Sequence, residues 1–293
     1  MRIVFIGTVA FSLRTLEHLI TIKAEVVGVC TKQISSFNAD FADLAPVCQR
    51  NEIPFQHVDD INSPATLAWI RERKPDVIFC FGWSFLLKQE LLSLAPLGVV
   101  GYHPAALPAN RGRHPLIWAL ALGLKKTAST FFFMDEGADS GDIVSQNEIV
   151  IDESDDAASL YAKVTAAALQ QLDEFVPALT EGRNSRLKQS AELANYWRKR
   201  GPTDGLIDWR MSSRTVLNLV RSLTRPYIGA ELSWQGTIIK VWRAECVESI
   251  AANLESGKVL AIKNGAALIK CGEGAIRLLE TGPGFTPSVG EYL

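Results

Sequence analysis

The sequence predicts an α/β protein: a doubly wound, mostly parallel sheet followed by a smaller, β-barrel-like C-terminal domain. Three observations predict it. Short apolar runs rich in β-branched residues alternate with helical spacings over the first part of the chain, the pattern of a parallel sheet wrapped by helices. A polar, charged stretch without periodicity then runs from Arg183 to Gly205. Beyond it, short strand-like runs are divided by Gly236, Gly257, Gly265 and Gly272, which suits a small barrel. The expected boundaries are 1–185 for the first domain, 186–204 for a linker and 205–293 for an OB-like second domain.

Taken in order, Arg2 to Ile6 is a β-branched apolar run ending at Gly7-Thr8, and Phe11, Leu13, Leu16, Leu19 and Ile20 follow at helical spacing. Gly7 is not part of a Gly-x-Gly-x-x-Gly fingerprint, so a dinucleotide cofactor is unsupported. Glu25 to Cys30 reads as a strand buried on both faces. Thr31 to Asn38 is a short polar loop with one cation, Lys32, and a helix is expected over 39–50. Ile53 to Val58 reads as extended, and Ser63 to Arg73 as an amphipathic helix stopped by Pro75.

Asp76 to Phe81 is a strongly apolar strand, and Gly82-Trp83-Ser84-Phe85-Leu86-Leu87 follows it. That segment reads either as a core edge or as the wall of a pocket, since ligand pockets are mostly apolar with a few placed polar groups. Gly98 to Tyr102 and Thr127 to Phe133 are further strands, with a helix from Pro115 to Leu122 between them. Ile143 to Ile151 has mixed polarity and is expected to be a more exposed strand. Ser154, with Asp155 and Asp156 in the first turn, is expected to open a helix running to Leu179. A helix from Ser213 to Leu223 precedes the short strands.

Composition sets the bounds. The 293 residues allow one large or two ordinary domains, and 47% apolar residues with a net charge of −2 leave no global basic footprint for nucleic acid. No run approaches the roughly eighteen apolar residues of a membrane span. The chain opens directly into a strand, without the pattern of a signal peptide. Cys30, Cys48, Cys80, Cys246 and Cys271 are scattered singly, which argues against zinc or a disulfide framework and suits a reducing cytoplasm. Oligomeric state is not readable; a homodimer stays open.

The chemistry concentrates between Gly98 and Gln146. An apolar run ends in His103, two prolines stiffen the loop after it, Arg111-Gly112-Arg113 follows, and an acidic Gly-rich loop carries Asp135, Asp139 and Asp142. Asp139 alone reads as a turn former. His103 after one strand and Asp139 after the next would meet in the crevice at the carboxyl ends of the strands.

These residues resemble the formyltransferase family that uses 10-formyltetrahydrofolate, which includes methionyl-tRNA formyltransferase and the bacterial sugar N-formyltransferases. The family pattern is Asn-x-His, Leu-Pro, Arg-Gly and, about thirty residues on, Asp-x-Gly-x-Asp-x-Gly. His103, Leu107-Pro108, Arg111-Gly112 and Asp135 to Gly141 fall on it in register, while Gly101 stands at the asparagine. The resemblance implies a Rossmann-like core with a β-barrel C-terminal domain, a folate co-substrate and no metal. It makes His103 and Asp139 catalytic, and sets the pterin against Phe81, Gly82, Trp83, Phe85 and Leu86, with Asp135 and Asp142 also on the folate.

His103 is then expected to donate to the oxyanion and move protons, and Asp139 to orient and charge it. Gly101 leaves three substitutes for the asparagine: a backbone N–H of Tyr102 or His103, an ordered water in the freed space, or Asn110 folding back, with backbone or water preferred. Tyr102, Arg111 and Arg113 are expected to hold the acceptor substrate, the arginines by clamping phosphate. Arg221 and Arg225 read equally as a second clamp or as structural pairs.

The resemblance gives tRNA-acting members a long basic insertion in the loop after the second strand, which here is short. The region 206–293 carries ten Lys/Arg against eight Asp/Glu, thin for gripping a nucleic acid. The expected acceptor is therefore a nucleotide-linked amino sugar, such as a UDP-linked sugar of a pseudaminic-acid-type pathway. Methionyl-tRNA formyltransferase is the alternative enzyme, and a folate-binding protein without transferase activity the alternative of another class.

Overall fold

A seven-stranded mixed sheet carries the first part of the chain. The computed structural model describes residues 1–35, 39–183, 186–247 and 251–293. Within it are two compact units, one made of 1–112, 127–149 and 162–197, the other of 113–126, 150–161 and 198–293. The expected loop Thr31 to Asn38 lies partly outside the described residues.

The first unit begins β1 (Arg2–Ile6), α1 (Ala10–Thr21), β2 (Glu25–Thr31), α2 (Ala45–Arg50), β3 (Phe55–His57), α3 (Pro64–Glu72), β4 (Val77–Cys80), α4 (Gln89–Leu92) and β5 (Val99–His103). These five strands pair in parallel in the order β3-β2-β1-β4-β5, and β7 (Lys126–Phe133) and β8 (Ile143–Val150) extend the sheet beyond β5. The pleat sorts the side chains. Phe5, Phe79, Phe81, Tyr102 and Phe131 form an aromatic cluster with Phe11 of α1 and Phe175 of α6 (Ala157–Thr180) on one face. Val4, Ile6, Ile78, Cys80 and Val99 pack with Leu67 and Ile70 of α3 and Leu91 and Leu92 of α4 on the other.

Three expectations are corrected here. β7 runs antiparallel to β5, with Val100 opposite Phe133 and His103 opposite Thr130. The loop carrying Asp139 therefore leaves from the end of the sheet opposite His103. The helix expected over 39–50 is shortened to α2, because Phe41 bridges to Val9 and Asp43 Oδ1 accepts from the Ala45 amide just before the first turn. The long helix starts at Ala157, not at Ser154. Asp156 caps it: the Ser159 amide donates to Asp156 Oδ1 at 2.9 Å, while Ser159 Oγ accepts from the Asp156 amide at 3.0 Å. Asp155 is spent on the turn before it, its Oδ2 accepting from the Asp152 amide. Ser63 caps α3 as its position predicts, accepting from the Thr66 amide.

The second unit contains α5 (Pro115–Ala121), α7 (Ser213–Leu223) and a five-stranded antiparallel sheet. Its strands are β10 (Ala230–Trp234), β11 (Thr237–Val247), β12 (Val259–Lys263), β13 (Ala266–Lys270) and β14 (Ala275–Thr281), ordered β10-β11-β14-β13-β12. Val216, Leu219, Val220 and Leu223 of α7 close its core with Ile117 of α5. The hairpin turns Gln235-Gly236 and Asn264-Gly265 both have positive φ at both residues, the geometry that matches strand twist. Arg221 donates to the carbonyls of Asp152 and Asp155, and Arg225 pairs with Glu280 over the Trp242 ring, so both serve as structural pairs.

Candidate active site

His103 ends β5 and is 5% exposed. Its Nε2 lies 2.8 Å from the Asn110 carbonyl oxygen. A carbonyl only accepts, so Nε2 carries the hydrogen. Nδ1 faces Asp139 Oδ2 at 3.6 Å. The same Oδ2 accepts from the Gly112 amide at 2.9 Å, which pins the carboxylate.

The two side chains meet by an unexpected route. Asp139 sits between β7 and β8, and its carboxylate nonetheless reaches Nδ1 of His103 and the Gly112 amide. Met134 opens that connection, its amide bonded to the Val99 carbonyl. A Cβ on Gly101 would fall 2.8 Å from Met134 Cγ and 3.1 Å from Phe132 Cζ. The absent side chain thus lets Met134 lie on β5. The space a Cβ at this position would take is filled by Met134 and Phe132.

The loop after His103 is tied from an unforeseen quarter. Arg111 and Gly112 form the two-residue strand β6 (Arg111–Gly112), paired in parallel with β9 (Tyr196–Trp197). The Arg111 and Asn110 amides donate to the carbonyl and Oδ1 of Asn195. Gly112 has φ +101°, and a Cβ there would strike the Trp197 carbonyl at 2.3 Å, so β9 fits only against glycine. Arg111 itself is buried. Its Nε and Nη2 donate to Gln189 Oε1 at 3.1 and 2.7 Å and its Nη1 to Tyr196 Oη at 2.9 Å, so its guanidinium braces the loop.

Other expected residues scatter. Tyr102 is one residue from His103, and the pleat turns it to the opposite face, where its ring stacks on Phe11 at 4.1 Å. Burial pushes its hydroxyl well above the usual phenol range. Arg113 is exposed. Asp135 Oδ1 accepts from the Gly137 amide and Ser140 Oγ, shaping the hairpin, and the Asp142 carbonyl accepts from the Phe133 amide. Phe81 is core, stacked on Phe79 at 5.1 Å. Gly82 turns the chain with φ +71° beyond β4.

Trp83, Phe85 and Leu86 stand differently. Trp83 Nε1 is buried without a hydrogen-bond partner. Its ring lies 5.8 Å from that of Phe85, and Phe85 and Leu86 are 45% and 75% exposed. Lys32 Nζ sits over Phe85 at 4.6 Å and over Trp83 at 5.6 Å. Among the described residues, no group of three or more His, Cys, Asp or Glu could hold a metal, and no helix is long and apolar enough to cross a membrane.

The arrangement offers a buried imidazole fixed through its Nε2–H, a pinned carboxylate on its other side, and an apolar platform with one orphaned donor. The family model for formyl transferases matches residues 1–176, and the model for their C-terminal domain matches 200–284. The chain belongs to the formyltransferase family. This formyltransferase is 32% identical over 285 residues to a methionyl-tRNA formyltransferase of Caldanaerobacter subterraneus, spanning 96% of this chain and 91% of that one. Two solved structures share its fold. An N-formyltransferase of Helicobacter canadensis, in complex with folinic acid and dTDP-3-aminofucose, superposes with a TM-score of 0.70 at 15% identity, covering 94% of this chain and 98% of that one. HypX of Aquifex aeolicus in complex with tetrahydrofolic acid also gives 0.70, at 20% identity, covering 96% of this formyltransferase and only 44% of the HypX chain.

Gln189, Asn195 and Tyr196 escaped the sequence reading because they lie in the stretch without periodicity. Nothing local marks a polar residue there as part of a site.

Proposed function

We propose that this formyltransferase moves a formyl group from 10-formyltetrahydrofolate to the amino group of a nucleotide-linked amino sugar. The observation that carries the chemistry is the His103 ring held between the Asn110 carbonyl and the Gly112-pinned carboxylate of Asp139. An unprotonated amine must attack the formyl carbon, the formyl oxygen must be stabilised as it gains charge, and the amine must lose a proton. When bound, the folate supplies the activated formyl group, and its nitrogen takes up a proton as the C–N bond breaks.

His103 Nε2–H is held by the Asn110 carbonyl at 2.8 Å, which fixes the ring so that its Nδ1 edge, beside Asp139, faces the developing oxyanion and the moving proton. Asp139 orients the ring from the Nδ1 side and receives the amine's proton. The residues at 83–86 fit the co-substrate: the orphaned Trp83 N–H and the exposed faces of Phe85 and Leu86 would hold a flat heterocycle, and Lys32 its anionic tail. The scattered free cysteines suit a cytoplasmic enzyme.

The acceptor follows from charge. Lys32 is the one cation between Thr31 and Leu44, and it is the one assigned to the folate tail. That edge offers little to a polyanion, whereas a nucleotide sugar needs only one or two cations. Arg113 is the exposed arginine beside the motif and is assigned to the diphosphate. Arg111 serves as a brace instead.

A second reading has its own support. The Caldanaerobacter relative is named for methionyl-tRNA. In the second unit, burial and the neighbouring Arg200, Arg113 and Lys199 hold His114 below the usual imidazole value, the mark of a locally basic surface. The test separates them. Purified protein with 10-formyltetrahydrofolate is offered amino-sugar nucleotides and, separately, methionyl-tRNA, while tetrahydrofolate release is followed. Transfer to a sugar nucleotide is expected, with His103→Ala and Asp139→Asn each lowering kcat by ~10²-fold or more and keeping folate binding. Formylation of methionyl-tRNA alone would replace the acceptor and leave the pair standing; folate binding without transfer to any amine would leave a binding protein.

A further inference from the structure

We propose that Gln189 is a positioning residue that sets Asp139 by locking its backbone to the buried Arg111. Four hydrogen bonds converge on this one amide. Nε2 donates to the Asp139 carbonyl at 2.9 Å and to the Gly141 carbonyl at 2.7 Å, and Oε1 accepts from Arg111 Nε and Nη2. The guanidinium only donates and the carbonyls only accept, so the orientation of the amide is forced. No other side chain of this length offers two donors and a two-lone-pair acceptor: glutamate lacks the donors, and lysine or arginine the acceptor.

Asp139 needs such a brace. It sits at φ +55°, an uncommon conformation for a residue with a side chain, which persists only where its surroundings impose it. Its carboxylate is held from one side by the Gly112 amide and its carbonyl from the other by Gln189. Gly112 is in turn the neighbour of Arg111, which ends on the same Gln189. The Asp139 hairpin and the Arg111–Gly112 strand thus form one closed hydrogen-bonded ring, with Gln189 as the link between its halves. With His103 and Asp139 read as the reacting pair, Gln189 determines where the carboxylate stands relative to Nδ1, and touches no substrate.

The experiment compares kcat and KM for wild type, Gln189→Ala, Gln189→Glu, Asp139→Asn and the double variant Gln189→Ala/Asp139→Asn. Folding is checked by thermal unfolding. Glutamate keeps the Arg111 partner and the shape while removing both donors, so it stays informative if alanine fails to fold. Both Gln189 variants are expected to lower kcat by about ten- to a hundred-fold, with KM for 10-formyltetrahydrofolate changed by no more than about two-fold. The double variant should be no slower than Asp139→Asn, because the two act through one carboxylate. Wild-type kcat in a folded Gln189→Glu, or losses that multiply in the double variant, would overturn the proposal while leaving the reacting pair intact. Full turnover in Asp139→Asn would instead remove the pair, and this role with it.

Discussion

Gly101 stands at the asparagine of the pattern this stretch resembles, and the neighbouring atoms say what the missing side chain makes room for. Met134 Cγ lies where a Cβ would come within 2.8 Å, so the glycine makes room for the hairpin that delivers Asp139. Gly101→Ala should therefore destabilise the fold by about 1–3 kcal/mol through overpacking. Trimming Met134 to Ala should cost less in that background than in wild type, since the two side chains compete for one space. Urea unfolding of the four variants measures it, and strict additivity would mean that Met134 is not the occupant that matters. That His103 and Asp139 meet was legible because the motif that carries them is local. The roles of Tyr102 and Arg111 were not. A pleat decides the first, and a partner 78 residues away the second.

Element boundaries show how far local chemistry reads. Ser63 and α3 follow from an N-cap residue before a proline and an apolar stripe. The start of α6 is different, because Ser154, Asp155 and Asp156 are all acceptable caps by type. The structure spends Asp155 on the preceding turn and gives the cap to Asp156. Asp156→Ala should lose ~1 kcal/mol of stability, while Ser154→Ala at its exposed position should lose little. Thermal unfolding of the two variants checks this; equal losses would restore Ser154 as the helix start. The helix expected over 39–50 failed for a related reason: Phe41 found a bridge partner in Val9, an interaction absent from its own segment.

At the scale of the molecule, both cores protect thiols. Burial pushes Cys30, Cys48, Cys80 and Cys271 up from the ordinary 9.0 to about 12, and among the five cysteines Cys246 alone is not buried. A raised thiol value favours the folded state below pH 9, and that contribution is lost as pH climbs from 9 toward 12, where the unfolded chain ionises first. A thiol reagent at pH 8 should therefore titrate one cysteine in the native protein and all five after denaturation. Two or more fast-reacting thiols in the native state would contradict the packing.

Local pattern was enough to read the alternation of strands and helices, the change of pattern after residue 205, and the meeting of His103 with Asp139. Each is written in spacing over a few turns or strands, where propensity and periodicity act. Folding alone set β7 against β5, Met134 on Gly101, and Gln189 and Asn195 on the Arg111 loop. Those outcomes depend on which strand edge lies open next to β5 and on polar groups separated by about eighty residues in the chain. A hydrogen bond at that separation leaves no period in the sequence; it exists once the sheet has brought its two ends together.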